Sequence, residues 1–294
     1  MQLTHTSVLL EAVLNNLIRI EDRVFVDATL GGGGHAYGIL DQCRELVLIG
    51  IDADEDALQR AEQRLSPFRE RIRLRKGNFR DLKKILTAEG IGAVDGILFD
   101  LGISMFQMMG GRGFSFNDED SLDMRIDPDT PITAFDVVNH YSYVNLKRII
   151  EEYGEEWEAP RIARALIEAR KKRPLESAKE VAAVIEKVKR RRGKIHPATQ
   201  TFQALRIEVN QELENLKMGL SEATDVLSPG GRVGVITFHS IEDRVVKNVL
   251  RTSSELRVLT KKALKPDRAE TRQNPRARSA KLRIAEKLGG RGMI

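Results

Sequence analysis

Short apolar runs alternate with stretches of helical spacing along the first hundred residues. The apolar runs that predict β-strands are residues 24–27, 46–52, 72–74 and 94–100. Between them, residues 36–42 and 54–65 carry apolar side chains three and four positions apart, the spacing of a helix with one buried face. Strands that alternate with helices form a parallel sheet, so the chain opens with an α/β fold.

The next strand pattern comes only at residues 232–238, after a predicted turn at 228–231. A helical crossover between neighbouring strands takes a few tens of residues, so residues 101–231 contain an insertion. Apolar residues in this stretch recur at helical spacing, and Ser177 and Glu180 form a capping-box pattern. We therefore predict an α-helical domain inserted between strands four and five. The predicted domains are 1–108 for the first part of the sheet domain, 109–210 for the insertion and 211–294 for the second part.

Further elements are predicted at the ends of these domains. Residues 2–20 have the pattern of an amphipathic helix, with Thr6 or Ser7 as its N-cap. A single long helix is predicted from Thr199 through Leu216, running back towards the sheet. The strands that complete the sheet are predicted at 257–259 and 281–284.

The chain is basic, which bears on its partners. Its 294 residues carry a formal net charge of +5, with a pI of about 9.3, and this favours a polyanionic partner. Basic residues cluster at 170–173 and 187–194 in the insertion, where a solvated face and a phosphate-binding face are both open interpretations. The segment between the last two strands adds Lys261, Lys262, Lys265, Arg268, Arg272, Arg276 and Arg278.

The composition also excludes some classes of protein. A single cysteine, Cys43, excludes an internal disulfide, and the sequence shows no cluster of metal-ligand residues. No apolar stretch approaches the length of a membrane span, and the first residues lack a signal-peptide pattern. We therefore expect a cytoplasmic protein with no resident metal and no membrane partner. The oligomeric state stays open, with a homodimer among the options.

A glycine-rich turn follows the first strand and precedes the first crossover helix. It fits Gly31-x-Gly33-x-x-Ala36, a dinucleotide fingerprint that places a pyrophosphate at the helix start. Counted from Asp27, the same residues form Asp-x-x-x-Gly-x-Gly, which resembles the first motif of methyltransferases that use S-adenosylmethionine (SAM). Asp52 ends the second strand and can accept both ribose hydroxyls of either ligand. The turn alone therefore leaves a NAD-type and a SAM-type ligand open.

Two more side chains are expected beside this turn. Phe79 follows the third strand, in the loop where this architecture holds the base of a ligand, so it is placed to stack on adenine. Asp100 ends the fourth strand. Ligands of a parallel sheet bind outside the carboxyl ends of its strands. The residues expected at this binding edge are Gly31–Gly34, Asp52, Phe79 and Asp100.

Motifs spread over nearly the whole chain resemble those of one family. The matching stretches are 5–9, 27–35, 50–52, 100–104 with Gln107, 113–116, 122–125, 153–156, 196–199, 201–207, 238–244 and 274–279. Together they resemble the MraW/RsmH family of bacterial rRNA small-subunit methyltransferases, which methylate N4 of a decoding-centre cytosine with SAM. The resemblance implies a class I SAM-dependent methyltransferase, with a Rossmann-like, mostly parallel sheet and an inserted helical domain. It also implies SAM as cofactor and 16S rRNA within the small ribosomal subunit as partner.

The resemblance extends to individual site residues. Carried over to matching positions, the SAM contacts are Gly33, Gly34, His35, Asp52, Phe79, Asp100 and Gln107. Gln107 rests on the resemblance alone. The chain departs from the family at Met105-Phe106, where Ser-Pro is frequent, at Gln200, where a basic residue is usual, and at Ile126, where Met is usual. If substrate contacts differ from those of the family, we expect the differences at these positions.

The chemistry of N4 methylation indicates which groups to look for. Methyl transfer is an in-line displacement, so alignment of donor and acceptor is the main task. The N4 lone pair is delocalised into the cytosine ring, and an acceptor for its N–H would favour transfer. Many amino-methyltransferases place Asp/Asn-Pro-Pro-aromatic after the fourth strand, but residues 100–103 lack these prolines. We hypothesise that Asp100, Ser104 or His239 supplies the polar contact to the amine.

Other functions compete with this interpretation. A NAD-dependent oxidoreductase accounts for the glycine turn and Asp52, but not for the basic clusters. A non-catalytic ribosome assembly factor that keeps SAM as a structural ligand accounts for the charge, but not for polar groups at Asp100 and Gln107. A DNA amino-methyltransferase is disfavoured by the missing Pro-Pro motif. Ligand identity separates the first of these from an RNA methyltransferase, and turnover separates the second.

Overall fold

The computed structural model describes residues 7–103, 107–108, 110–119, 121–191, 193 and 195–289. The chain divides into two compact units. The sheet unit is Met1–Gly102 with Leu213–Ile294, and the inserted unit is Ile103–Glu212. The inserted unit begins just after the strand Val94–Asp100 and ends at the first residue of the helix Glu212–Val226. The sequence predicts these two boundaries after residues 108 and 210.

The described part of the chain contains the following elements. Strands β1 to β7 are Val24–Asp27, Val47–Asp52, Ile72–Lys76, Val94–Asp100, Leu227–Thr237, Leu256–Val258 and Lys281–Lys287. Helices α1 to α12 are Leu10–Asn16, Gly34–Gln42, Glu55–Arg64, Leu82–Ala88, Ala134–His140, Tyr143–Glu152, Ala159–Arg170, Ala178–Val188, Thr199–Asn210, Glu212–Val226, Ser240–Thr252 and Arg268–Gln273. Short 3₁₀ turns lie at Ser66–Arg71, Phe79–Asp81 and Pro275–Ser279.

All seven strands belong to one sheet, in the order β3-β2-β1-β4-β5-β7-β6. Strands β1 to β5 pair in parallel, and β7 runs antiparallel to both β5 and β6. Phe25 and Val26 are successive residues of β1 and are fully buried in two different apolar clusters, as expected for a sheet covered on both faces. The mostly parallel α/β fold predicted from the sequence is confirmed.

The register of this sheet determines where the binding edge lies. Asp27 ends β1 and pairs with Gly50 of β2 on one side and Leu98 of β4 on the other. Asp52 and Asp100 lie two residues beyond those partners, at the ends of their own strands. Three carboxylates therefore collect at the carboxyl edge of three adjacent strands.

The first helix differs from its prediction. It begins at Leu10 rather than directly after Thr6 or Ser7. Its N-cap is Leu9, in a left-handed conformation with φ 57°, and no side chain of the described residues caps it. Ser7 is not the cap, and Thr6 lies outside the described residues. The Leu9 amide instead donates to Glu270 Oε1 at 2.6 Å. A distant side chain replaces the local cap, which a local sequence pattern does not reveal.

The predicted long helix after Thr199 is two helices. Gln211 adopts a left-handed conformation with φ 50°, which ends α9 at Asn210 and starts α10 at Glu212. The Asn210 side chain bonds outside the helix, donating to Met124 O at 2.8 Å and accepting from the Ile126 amide at 2.8 Å. These bonds stabilise the helix end where the sequence predicts continuation.

The turn predicted at 228–231 is an irregularity inside β5. Leu227 already pairs with Val94, but the next pairing joins Arg232 to Gly96, so four residues of β5 bulge opposite one residue of β4. Gly230 has φ 80°, a conformation that glycine adopts without steric cost.

The inserted unit is helical, with a core of its own. Part of its predicted basic surface has internal partners. Arg170 donates to the carbonyls of Val138 and Tyr141, both at 2.6 Å, and Lys189 forms an ion pair with the buried Glu156. Within the described ranges, no helix is both long enough and apolar enough to cross a membrane.

Candidate functional site

The glycine-rich turn is held between two strands of the sheet unit. The amide of Ala28 donates to Leu98 O at 2.8 Å, and the amide of Leu30 donates to Ile51 O at 2.9 Å. Gly33 has φ 72°, and α2 begins at the next residue. A Cβ on Gly34 would lie 2.1 Å from Ser7 Oγ, so only glycine fits against that hydroxyl. A Cβ on Gly33 would lie 3.0 Å from Leu65 Cδ1, so both glycines allow the turn to pack closely against its neighbours.

Asp52 faces this turn with both oxygens engaged. Its Oδ2 accepts the Gly31 amide at 2.7 Å, and its Oδ1 accepts the Asp54 amide at 2.9 Å. Burial raises the pKa of Asp52 to about 6, and these two amide hydrogen bonds act against the increase. Each carboxylate oxygen has a second lone pair, so the fixed group can still accept a pair of hydroxyls.

Phe79 is placed by the 3₁₀ turn that follows β3. Asn78 caps this turn by accepting the Arg80 amide at 3.0 Å. The Phe79 ring meets Phe99 edge-on, with ring centroids 5.5 Å apart, and a Cβ on Gly219 would lie 2.7 Å from its Cδ2. The ring is therefore fixed on one side, and it is half-buried.

A second group of polar residues lies behind the glycine turn. His35 is buried, with Nε2 2.9 Å from Val8 O and Nδ1 3.4 Å from Asp100 Oδ2. Because a carbonyl can only accept, we assign the proton to Nε2. Desolvation lowers the pKa of His35. Burial likewise raises the pKa of Asp27 to about 7, and His35 opposes this change while Asp100 adds to it.

Asp100 differs from the other two carboxylates in its hydrogen bonding. Its backbone amide donates to Thr29 Oγ1 at 2.5 Å. A quarter of its side-chain surface is open, but Oδ1 is buried and has no hydrogen-bond partner among the described residues. Desolvation raises the pKa of Asp100 to about 7, Arg276 acts to lower it and Glu242 acts to raise it. Within the described ranges, the site thus contains a carboxylate oxygen that accepts no hydrogen bond.

The remaining predicted residues have different surroundings. His239 is the N-cap of α11, where its Nδ1 accepts the Glu242 amide at 3.3 Å and its Nε2 lies 2.9 Å from Glu242 Oε1. The Nε2 contact lacks hydrogen-bond geometry. Ser104 lies outside the described residues, and Gln107 is buried and belongs to the inserted unit. The roles predicted for Ser104 and Gln107 stay predictions.

A family model described as the MraW methylase family matches residues 2–288 of the chain. The chain belongs to this family. It is 51% identical over 290 residues to ribosomal RNA small subunit methyltransferase H of Persephonella marina, covering 97% of this chain and 99% of the relative. It is 48% identical over 312 residues to the protein of that name from Carboxydothermus hydrogenoformans, covering 98% and 99%. A putative rRNA methylase from Clostridium thermocellum aligns in structure at 13% identity and a TM-score of 0.48, covering 97% and 100%.

The family of the chain decides between the NAD-type and the SAM-type ligand, which the glycine turn alone leaves open. This MraW-family chain is a SAM-dependent methyltransferase, and SAM is its cofactor. The binding edge fits such a group. Gly33 and Gly34 keep the turn free of bulky side chains, Asp52 has fixed acceptor oxygens, and Asp100 has an oxygen with no partner among the described residues.

The sequence did not predict two roles of the C-terminal segment of this MraW-family chain. The charge of the half-buried Arg276 acts to lower the pKa of Asp100, and Glu270 accepts the Leu9 amide at the start of α1. The family motif at 274–279 includes Arg276 and Arg278, which the sequence presents alike as basic residues of one segment. Composition alone does not separate a buried arginine from its exposed neighbours.

Proposed function

We propose that this chain transfers a methyl group from SAM to N4 of a decoding-centre cytidine of 16S rRNA in the small ribosomal subunit. The names of the relatives support the substrate class, since both are called ribosomal RNA small subunit methyltransferase H. The observation that carries the proposed chemistry is the buried Oδ1 of Asp100 at the end of β4, which has no hydrogen-bond partner in the part of the chain that the structure describes.

Asp100 is the catalytic residue that we propose. When bound, SAM supplies a methyl group made electrophilic by the sulfonium. The Asp100 oxygen accepts an N–H of the target amine, which draws the N4 lone pair out of the ring and fixes the nitrogen for in-line attack. His239 is the weaker candidate because both of its ring nitrogens face Glu242 in the helix cap.

Cofactor binding is proposed for the other residues of the edge. Gly33 and Gly34 supply backbone close to the ligand, Asp52 accepts the ribose hydroxyls and Phe79 stacks on the adenine. The complete set proposed to contact SAM is Gly33, Gly34, His35, Asp52, Phe79, Asp100 and Gln107.

Exposed basic side chains of the segment between β6 and β7 are proposed to contact rRNA phosphates. We call them the tail cations: Lys261, Lys262, Lys265, Arg268, Arg272 and Arg278, all exposed. Phosphate contacts of this kind orient an RNA without reading its sequence. The half-buried Arg276 is not included among them.

The decisive experiment is methyl transfer from radiolabelled SAM to small ribosomal subunits from cells that lack the modification, followed by mapping of the labelled nucleoside. We expect N4-methylcytidine at one decoding-centre position. Label on another base, or only on free RNA, would keep the methyltransferase and change its target. Measurable SAM binding without label on any RNA would instead favour the non-catalytic assembly factor.

A further inference from the structure

We propose that Trp157 and the basic segment beside it form an rRNA contact on the inserted unit, in which the indole stacks on an unpaired base and the cations bind the adjoining phosphates. We call this surface the indole patch: Trp157, Lys187, Arg190 and Arg191. The inference rests on the proposed function, because it takes the proposed substrate, rRNA, as the partner. It concerns a different unit of the chain from the tail cations.

The indole is presented at the surface of the inserted unit. Trp157 is the single tryptophan of the chain, it lies in the loop between α6 and α7, and 68% of its surface is exposed. Tryptophan side chains are highly buried on average, because the indole carries a large apolar area. An indole held at the surface offers a flat apolar face of the kind on which nucleic-acid bases stack.

Hydrogen bonds on both sides of Trp157 fix its backbone. Glu156 is buried, and its Oε1 accepts the Glu158 amide at 3.0 Å, so one carboxylate spans the tryptophan. The other oxygen of this carboxylate forms an ion pair with Lys189, directly after the end of α8. A ring presented from a fixed backbone loses less conformational freedom on binding than a ring on a mobile loop.

A glutamine of α9 holds the start of the same loop. The side-chain nitrogen of Gln200 donates to Gly154 O at 3.1 Å and to Glu155 O at 2.9 Å, and its side-chain oxygen accepts from Lys189 Nζ at 2.9 Å. A Cβ on Gly154 would lie 2.7 Å from Gln200 O, so the loop packs directly against this helix. The loop and the basic segment at the end of α8 are thus joined through Gln200 and Lys189.

These contacts bring basic side chains close to the tryptophan. Trp157 and Arg190 each follow one member of the Glu156–Lys189 ion pair, so each Cα lies about 3.8 Å from the Cα of a residue in that pair. The three cations of the indole patch are all exposed. They belong to the cluster at 187–194, for which the sequence leaves a solvated face and a phosphate-binding face open. An aromatic ring beside exposed cations favours phosphate binding, because single-stranded nucleic acids are bound by this combination.

The charge of the indole patch determines which partner fits it. A protein that covered the indole would also have to take the three cations out of water, and this costs free energy unless each meets an acidic group. RNA supplies phosphates for the cations and a base for the indole. In a double helix the faces of the bases are covered by their neighbours, so the patch fits a single-stranded segment.

The tryptophan is itself the reporter for the first test. The fluorescence of the full chain is titrated with a single-stranded RNA of the decoding-centre sequence, about 12 nucleotides long, and with the same RNA annealed to its complement. We expect the single strand to quench the fluorescence of Trp157 and the duplex to quench it little. Equal quenching by both RNAs, or quenching by neither, overturns the inference.

Substitutions of Trp157 measure the contribution of stacking to affinity. Polarisation of the same RNA, labelled with a dye, gives the affinity of each variant. We expect Trp157→Ala to weaken binding of the single strand about 5- to 150-fold, the effect of losing one stacked base, and Trp157→Phe to keep most of the affinity. Val144→Ala removes another exposed apolar side chain of the inserted unit and is the control. An affinity of Trp157→Ala within twofold of the wild type overturns the inference.

The cations of the patch have a different signature from the indole. In a double variant, Lys187 and Arg190 are each replaced by Gln, and the magnitude of the slope of log Kobs against log salt should decrease by about 1 to 1.5. Trp157→Ala should leave this slope unchanged, because stacking releases no counterions. An unchanged slope in the double variant would remove the phosphate contacts from the proposal and overturn it.

Methyl transfer separates this inference from the proposed function. With small ribosomal subunits as substrate, Trp157→Ala should raise KM and leave kcat unchanged, because the indole patch is proposed to hold the RNA and not the reacting atoms. If the wild type transfers no methyl group, the proposed function fails, and the RNA titration still decides whether Trp157 binds RNA. Sedimentation of the wild type and of Trp157→Ala completes the test. Dissociation of an oligomer by this substitution would assign the indole to a contact between copies of the chain and overturn the inference.

Discussion

Hydrogen-bond partners give each of the three strand-end aspartates a different chemistry. Asp52 accepts two backbone amides, and Asp27 is fully enclosed and accepts the Thr29 amide at 3.3 Å. Asp100 keeps an oxygen without a partner among the described residues. The sequence places an aspartate at the end of each of these three strands but cannot distinguish them, because their partners come from neighbouring strands and loops.

Asp100→Asn tests the proposed catalytic role of the Asp100 carboxylate. The amide keeps the size of the side chain and loses its charge, so we expect kcat to fall about 10²- to 10⁴-fold. The affinity for SAM should change only a few-fold by calorimetry. Asp41→Asn, on the exposed face of α2, is the matched control. A kcat within threefold of wild type in Asp100→Asn would remove Asp100 from the mechanism.

Gly34→Ala tests the packing of the glycine turn. The new methyl group would lie 2.1 Å from Ser7 Oγ, and overpacking of this kind costs on the order of 1–3 kcal/mol of unfolding free energy. The double variant Ser7→Ala/Gly34→Ala should regain stability, because it removes the hydroxyl that the new methyl group would meet. Gly92→Ala, where the added group meets nothing within 4 Å, is the control. A double variant that stays as unstable as Gly34→Ala would contradict this account of the packing.

The buried Asp27 makes stability depend on pH. Its pKa is raised from 3.8 to about 7 by burial, so the folded protein holds a proton that the unfolded chain releases above pH 4. Its contribution to stability is therefore present at low pH and is lost as pH rises from about 4 to about 7. Asp27→Asn should lessen this decline by on the order of a few kcal/mol. Urea unfolding between pH 5 and pH 8 measures how the unfolding free energy falls with pH. An equally steep fall in Asp27→Asn would contradict the raised pKa of Asp27.

The sequence predicts the interiors of helices and strands better than it predicts where they begin and end. The strand cores and the crossover helices follow from apolar periodicity, and the structure contains them. The start of α1, the break at Gln211 and the bulge in β5 were missed, because each depends on a contact distant in sequence. A helix end is decided by small free energies that a single tertiary hydrogen bond can outweigh.

The cap supplied by Glu270 can be measured. Removal of its carboxylate in Glu270→Ala leaves the Leu9 amide without its acceptor, so we expect a loss of about 1 kcal/mol in unfolding free energy. Hydrogen exchange should increase first at the amides of α1. Glu270→Gln keeps an acceptor oxygen, so its unfolding free energy should lie between those of Glu270→Ala and the wild type. Glu62 is exposed on α3, and Glu62→Ala should have little effect. Unchanged exchange in α1 would show that the cap is dispensable.

For the whole molecule, the tail cations predict an electrostatic component of RNA binding. In a triple variant, Lys261, Lys262 and Lys265 are each replaced by Gln. The slope of log Kobs against log salt is negative, and its magnitude should decrease by about 2 to 3. The control replaces three exposed lysines of α4 and α10, which are Lys83, Lys84 and Lys217. Equal slopes in the two triple variants would show that the segment acts through net charge only.

The sheet order has a consequence for synthesis on the ribosome. Strand β4 pairs with β1 on one side and with β5 on the other, and residues 101–226 lie between β4 and β5 in the sequence. At about 5–20 residues per second, the growing chain holds β4 with an open edge for roughly 6 to 25 s. An open strand edge invites pairing with other chains. The nascent half-sheet is thus the stage at which this protein depends most on protection from aggregation, and slower translation of the insertion would prolong that exposure.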